Sequence, residues 1–568
     1  MNDEQLRGCP FYLNDSQIKW VHDTLDSMDD REKAGQLFCL AVSQNDVQDM
    51  QKMAKEYKIG GYMCRALPAP DIVEINTFMQ KMAKIPMLVA ANFECGPVGI
   101  SKDATDIASF LEIGATGMPE NAGKLGAACA REGAALGANW SFAPVVDIEY
   151  NWRNPIVGTR AFGDDPELVA ACAQEYIIHA QKNGMAASAK HFPGDGMDER
   201  DQHLVTSINS LSCEEWDQTY GKVYRSCIDA GVMTIMIGHI MLPSYSKFYC
   251  PDMEAEDMLP AVCAPELLQG LLREKLGFKG LIVTDATNMA GSLVLVDRRK
   301  LLVDMINAGC DMLLFTYNTD EDIQCVYEAL CSGELSRERV DDAIQRILGL
   351  KAALQLPEKQ KSGQLVYSMD QIKEYLGCEK HRMLAREIAS QAVTLVKDKQ
   401  KLLPISKDKY KRIYLYVIAD TKEKNGDEAG LRRILTEKLT AKGYEVTCHD
   451  NEIPLGPMGK QRAFQEMIDS FDLILYVFNI ATYSNKTTVR INWKNLNYPV
   501  YIPVIPTMAV SFANPYHLVD IPRISTLVNA YKFNEDIVDV VIEKLQGESS
   551  FTGKNPVNPF CNMWDTEL

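Results

Sequence analysis

The stretch AKHFPGDGMDERDQHLV, Ala189 to Val205, holds the most informative chemistry in the chain. It opens on Lys190 and His191, turns at Pro193-Gly194, and stays mostly polar from Asp195 to His203. Gly194 and Gly196 permit a sharply folded loop. Asp201 and His203 stand two residues apart. In an extended or turn conformation that spacing lets the carboxylate accept a hydrogen bond from an imidazole nitrogen. Such a partner orients the ring and fixes its tautomer, which a general acid/base requires. A charged surface loop could also contain D-x-H by chance. A second carboxylate, Asp285 in LIVTDATNMAG, ends a strongly apolar run, where an unpaired charge is costly to bury. It could serve as a helix N-cap. Facing an acid/base across a pocket, it would instead complete the minimal equipment for double-displacement glycoside cleavage.

These groups need elements to aim them. Eight apolar runs of strand length alternate with amphipathic segments over the first two thirds of the chain. They are QLFCLAV, GGYMC, MLVAANFE, WSFAPVVD, AASAKHFPG, VMTIMIGHI, LIVTDATN and DMLLF. Several lack alternation, as expected of strands buried on both faces. Between them lie helix-like segments such as DIVEINTFMQKMAK and PELLQGLLREKLG. Eight strand–helix units predict an α/β fold, a (β/α)8 TIM-type barrel over residues 1–355, with an open doubly wound sheet as the alternative. In a barrel the catalytic groups gather where the strands end. The third run ends at Asn92 and Glu94, the fourth at Asp147, the fifth at Lys190 and His191, the sixth at His239 and the seventh at Asp285. Five such endings on independent strands point to a pocket at that face, which His239 could also line.

Residues 356–384 are polar and weakly patterned and read as a linker. A second domain is expected over 385–568: after the helix-like HRMLAREIASQAVTLV from His381 comes a second α/β series, IYLYVIAD, LILYVFNI, VYIPVI, MAVSFAN and ISTLVNAY. It predicts a smaller αβα sandwich. No G-x-G-x-x-G follows its first strand and no P-loop occurs, so nucleotide binding is not expected. The 568 residues are 46% hydrophobic and 24% charged, the mixture of a folded globular protein. With 59 basic against 77 acidic residues the net charge is −18, and no basic stripe suits nucleic acid. No run approaches the roughly 20 apolar residues of a membrane helix, and no signal peptide is evident, so a cytoplasmic location is expected. Sixteen cysteines are scattered singly without a C-x-x-C pair, so neither a metal site nor a disulfide framework is expected, and no cofactor.

KHFPGDG…DQH, NPIVGTRAFGDDPELV, NWSFAPVVDI, IGGYMC and MTIMIGHI together resemble the family 3 glycoside hydrolases. The nearest branch is the bacterial β-N-acetylhexosaminidases of the NagZ type. The likeness runs from MDDREKAGQLF through TLVKDKQKLLPI and MAVSFANPYHLVDIP to GKNPVNP, so it covers the barrel and the C-terminal αβα domain of two-domain members. The resemblance implies that Asp285 is the nucleophile and that Asp201 and His203 form the branch's unusual acid/base dyad. It also implies that Lys190 and His191 bind sugar hydroxyls and that Arg160, in R-x-F-G, contacts the sugar. A neutral imidazole makes sense as the acid/base, because a carboxylate would add negative charge beside Asp285.

The third strand departs from the family's V-x-x-D-x-E-G-G-R-V. Here VAANFECGPVGI puts Asn92 where an Asp clamps the far side of the terminal sugar, and Asn makes weaker bonds to hydroxyls. The seventh strand reads T-D-A-T in place of the common S-D-D-L. The expected activity is a retaining exo-β-glycosidase, foremost a β-N-acetylhexosaminidase taking terminal β-linked sugars from peptidoglycan fragments, muropeptides or chitin-like oligosaccharides. The rivals are a β-glucosidase or β-xylosidase, a glycosyl phosphorylase, and, in another class, a catalytically silent sugar-binding protein.

Overall fold

The computed structural model describes residues 1–42, 47–421, 425–449, 463–493 and 498–568. The chain forms two compact units, neither continuous in sequence. The first holds Met1–Ile107, Pro119–Asn151 and Pro166–Arg382. The second holds Ala108–Met118, Trp152–Asp165 and Met383–Leu568.

The first unit is a closed parallel barrel. Its strands are β1 (Phe38–Val42), β2 (Gly61–Cys64), β3 (Leu88–Ala91), β4 (Trp140–Ser141), β5 (Ala186–Phe192), β6 (Thr234–Ile237), β7 (Leu281–Ala286) and β8 (Met312–Leu314). Each pairs with its sequence neighbour, and β8 closes on β1 through Phe38 opposite Leu313 and Cys39 opposite Leu314. All eight coincide with the apolar runs. β3, β5 and β6 are buried at every residue, so these runs show no polar alternation. Helices such as Ala69–Met82 and Pro166–Lys182 connect the strands.

Buried charge fixes this unit at two places away from the strand ends. Asp311, just ahead of β8, accepts from Arg273 at 2.8 Å, Arg339 at 2.9 Å and the amide of Ile282 at 2.9 Å. Glu132 takes Oγ1 of Thr105 at 2.7 Å, the amides of Thr105 and Gly377, and Nδ1 of His381 at 2.6 Å. Cys378 lies close by, but with four donors the carboxylate serves as an anchor for 377–381. The stretch expected as a linker is therefore structured: it carries helices Leu356–Ser362 and Met369–Ile372 and the start of Glu379–Ala392. All sixteen cysteines are free, seven of them buried.

Among the described residues, the second unit has one six-stranded sheet. Its strands are β9 (Thr394–Asp398), β10 (Arg412–Ala419), β11 (Glu445–Cys448), β12 (Leu473–Asn479), β13 (Thr507–Ser511) and β14 (Thr526–Asn529), in the order β9-β14-β13-β12-β10-β11. Only the β9–β14 pairing is antiparallel. Alternate residues of β10 enter opposite cores. Ile413, Leu415 and Val417 pack with the helices Glu428–Ala441 and Glu535–Leu545. Tyr414, Tyr416 and Ile418 pack on the other face with Met467 of helix Phe464–Ser470. This is a layered αβα arrangement. Two expectations fail in detail. VYIPVI is not a strand, because Pro499, Pro503 and Pro506 lack the N–H a ladder needs and the segment forms turns. TLVKD, read as a helix end, forms the antiparallel edge strand β9. The excursions from the first part of the chain share this unit's cores: Leu111 and Ala115 cluster with Ala392, Tyr516, Tyr531 and Val557.

Candidate active site

The C-terminal ends of the barrel strands bring Asn92, Glu94, Asp147, Lys190, His191, His239 and Asp285 to one rim. Asp285, second to last in β7, is nearly buried, and its Oδ1 accepts the amide of Ala286 at 2.7 Å. Burial alone would raise its pKa. The charges of His191, His239 and His203, with the Ala286 amide, more than offset that, so the carboxyl is held below its ordinary value. It therefore stays ionised near neutrality, as a nucleophile must.

His191 faces it. Nδ1–H of His191 donates to Oδ2 of Asp147 at 2.7 Å, which leaves Nε2 3.8 Å from Oδ2 of Asp285. Asp147 also accepts the amides of His191 at 3.0 Å and Asp195 at 2.8 Å. Burial would raise the Asp147 pKa, and the His191 charge with these donors lowers it overall. Lys190 is buried and ion-pairs with Glu94 at 2.7 Å, with Asn92 Oδ1 at 3.4 Å. Its ammonium is thus held between two residues that follow β3.

The loop after β5 forms the dyad. Asp201 is buried, and its Oδ1 accepts both the amide of His203 at 2.8 Å and Nδ1–H of the same ring at 2.7 Å. That tautomer leaves Nε2 of His203 to carry or accept a proton. The loop is pinned along its length. Gly196 has φ +107, and a Cβ there would stand 1.9 Å from the carbonyl oxygen of Ile148. The amide of Ala290, just past β7, donates to the His203 carbonyl at 3.1 Å, and Oγ1 of Thr206 donates to that of Gly291 at 2.6 Å. Ser207–Ile208 then pairs in parallel with Ile240–Met241.

His239 is fully buried and its Nε2–H donates to the Ala286 carbonyl at 3.0 Å. Burial pushes its pKa down against the opposing pull of the Asp285 charge, and the ring braces the backbone of the residue that follows the nucleophile. Arg160 ends the 3-10 turn Gly158–Arg160 on a segment of the second unit, so it is not among the residues the barrel unit itself gathers. The sequence had marked Glu94 and Asp147 as polar strand ends without giving them partners. Asp195 and Gln202 carried no signal beyond lying in the reactive loop.

This geometry can be set beside known proteins. The model of the glycosyl hydrolase family 3 N terminal domain matches residues 30–350. A beta-N-acetylglucosaminidase/beta-glucosidase of Cellulomonas fimi is 42% identical over 574 residues, covering 99% of this chain and all of that protein. The chain belongs to glycosyl hydrolase family 3. More distant in the family, beta-hexosaminidase A of Pseudoalteromonas piscicida is 26% identical over 73% of this chain and 72% of its own. Among solved structures, beta-glucoside phosphorylase BglX bound to 2FGlc shares 40% identity at a TM-score of 0.94, covering 99% of this chain and all of that one. A family 3 beta-N-acetylglucosaminidase from Paenibacillus sp. str. FPU-7 has the same fold at 22% identity and a TM-score of 0.77, covering 94% of this chain and all of that one. The chain is thus a family 3 glycoside hydrolase with the family's barrel and a second αβα unit. No helix among its described residues is long and apolar enough to cross a membrane.

Proposed function

We propose that this protein removes the terminal sugar of a small β-glycoside with retention of configuration, using Asp285 as nucleophile and the Asp201–His203 dyad as acid/base. The observation that carries this reading is the pairing of an ionised, nearly buried Asp285 with an imidazole whose Nδ1 is fixed by Asp201. In the first step an Asp285 oxygen attacks the anomeric carbon and the bond to the leaving oxygen breaks. Nε2–H of His203 gives its proton to that oxygen, leaving a glycosyl ester on Asp285. In the second step water attacks the same carbon, its proton passes to Nε2 of His203, and the ester bond breaks to release the sugar. In this reading Lys190 and His191 hold sugar hydroxyls beside Asp285. Arg160 is kept as a sugar contact on its R-x-F-G match alone. The substrates favoured are terminal β-linked N-acetylhexosaminides, of the muropeptide or chitin-fragment kind, met in the cytoplasm.

A phosphorylase reading has specific support. The acid/base is an imidazole, so an anionic acceptor approaching the glycosyl ester meets no second carboxylate acting as base. A relative of 40% identity is named a beta-glucoside phosphorylase. In that reading a phosphate oxygen replaces water, the ester bond breaks, and a sugar 1-phosphate leaves.

The test measures nitrophenol release from the β-N-acetylglucosaminide and the β-glucoside, with and without inorganic phosphate. Wild type runs beside Asp285→Ala and His203→Ala. Turnover should vanish in the first variant and fall about 10²–10⁴-fold in the second. A rate that rises with phosphate and yields sugar 1-phosphate selects phosphorolysis, and a phosphate-independent rate selects hydrolysis. Full activity in Asp285→Ala would sink both.

A further inference from the structure

Between the two members of the dyad lies a residue with no chemistry of its own. Gln202 is completely buried and its side-chain amide spans two separate elements. Its Oε1 accepts the backbone N–H of His239, just past β6, at 2.9 Å. Its Nε2 donates to Oδ2 of Asp195 at 3.1 Å. A backbone N–H can only donate and a carboxylate can only accept, so one orientation of the amide satisfies both. Asp195 is itself held, because its other carboxylate oxygen takes the Gly196 amide at 2.7 Å and Tyr220 Oη donates to its carbonyl at 2.6 Å. Through its amide, Asp195 also reaches Asp147, which orients His191 against Asp285. The backbone at Gln202 is clamped as well: a Cβ on Gly291 would stand 2.2 Å from its carbonyl oxygen.

We propose that Gln202 is the positioning residue that sets His203 relative to Asp285, by tying the dyad loop at once to the end of β6 and to the Asp195–Asp147–His191 chain. This rests on the acid/base role proposed for His203. The side chain touches no reacting atom. It acts because the residues on either side of it are Asp201 and His203, so a shift of the loop moves the proton donor directly. Misplacing a catalytic group by about 1 Å costs roughly 10²-fold.

The alternatives at this position differ in physical terms. Gln202→Met keeps the length and apolar bulk but removes both hydrogen bonds. Gln202→Glu keeps the bond to the His239 amide and sets a carboxylate against Asp195. When the introduced carboxyl takes up a proton, it can again accept from one side and donate to the other. The titratable groups in its surroundings are Asp195, which it contacts, and His191 on the β5 side, Asp147 after β4, Asp201 and His203 in the loop, His239 after β6 and Asp285 on β7.

The experiment measures kcat/KM, which reports the first chemical step, for a series of aryl β-glycosides with leaving groups from strongly to weakly acidic phenols, in full-length wild type, His203→Ala, Gln202→Met and Gln202→Glu. In Gln202→Met kcat/KM should fall ~10²-fold on poor leaving groups and little on good ones that need no proton, as in His203→Ala. Gln202→Glu should show the same selective loss near neutral pH, with activity relative to wild type recovering as pH falls. If a folded Gln202→Met keeps the wild-type dependence on leaving group, or loses activity equally on all of them, the proposal is overturned. If Gln202→Met does not fold, Gln202→Glu decides: selective loss with recovery at low pH supports the proposal, and a pH-independent or unselective loss overturns it. If His203→Ala itself leaves the leaving-group dependence unchanged, the acid/base reading fails instead.

Discussion

Asn92 is where this chain parts from its family most visibly, and its surroundings suggest what the change does. The side chain is exposed and its Oδ1 lies 3.4 Å from Nζ of Lys190, which is already neutralised by Glu94 at 2.7 Å. An aspartate there would be a second carboxylate for one ammonium and a stronger acceptor for a sugar hydroxyl. A hydrogen bond to a charged group is worth about 1 kcal/mol more than one to a neutral group. Asn92→Asp is therefore expected to lower KM for the terminal sugar about 5–10-fold with little change in kcat, read from initial rates on both nitrophenyl glycosides. A fall in kcat with KM unchanged would remove Asn92 from sugar recognition. At this scale the sequence was informative wherever a strand end supplied the residue. Asp285, Lys190 and His191 stand on strands whose apolar runs are plain, and the D-x-H spacing gave the dyad. The partners of Asp147, Asp195 and Gln202 were not legible, because they arise when a loop folds back onto three strands and no local spacing encodes that.

Elements were legible in proportion to their burial. The eight barrel strands stood out because both faces are covered. Strand β11, with exposure alternating along an edge, and the short antiparallel β9 did not. The helix Arg337–Ala353 holds a charge that its pattern gave no reason to notice. Lys351 is fully buried, and its Nζ donates to Gln36 Oε1 at 2.7 Å, while Nε2 of Gln36 donates to the Lys58 carbonyl at 2.6 Å. Burial lowers the Lys351 pKa to about 7. Between about 7 and the ordinary 10.5 the unfolded chain binds a proton at this residue that the folded chain does not. Stability therefore rises with pH across that window, by at most ~1.4 kcal/mol per pH unit. Lys351→Met should lose this rise. Its melting temperature relative to wild type is expected to be most favourable at or below pH 7 and to decline steadily towards pH 10. A difference that stays flat with pH would show that Lys351 does not titrate in this window.

At the scale of the molecule, the sequence suggested one boundary between two domains, whereas the contacts group Ala108–Met118 and Trp152–Asp165 with the C-terminal residues. Nothing local reveals this, because the partners of those segments lie hundreds of residues downstream. Leu111 and Ala115 pack with Tyr516, Tyr531 and Val557, and Oγ of Ser109 donates to the Tyr531 carbonyl at 3.1 Å. A chain cut after Arg382 would keep its whole barrel yet expose those side chains. Residues 1–382 alone are expected to aggregate, or to melt well below the full-length protein, and co-expression with 383–568 should restore solubility. A monomeric, equally heat-stable 1–382 would contradict that. The same arrangement bears on how the protein is made. A ribosome finishes Leu111, Ala115 and Trp152 long before it reaches Ala392, Tyr516, Tyr531 and Val557, with which they cluster in the final fold. While 166–382 are being synthesised, those apolar segments wait without their partners, in the kind of state that chaperones recognise. A catalytic barrel could thus close early during translation while two of its own loops stay sticky until the last quarter of the chain emerges.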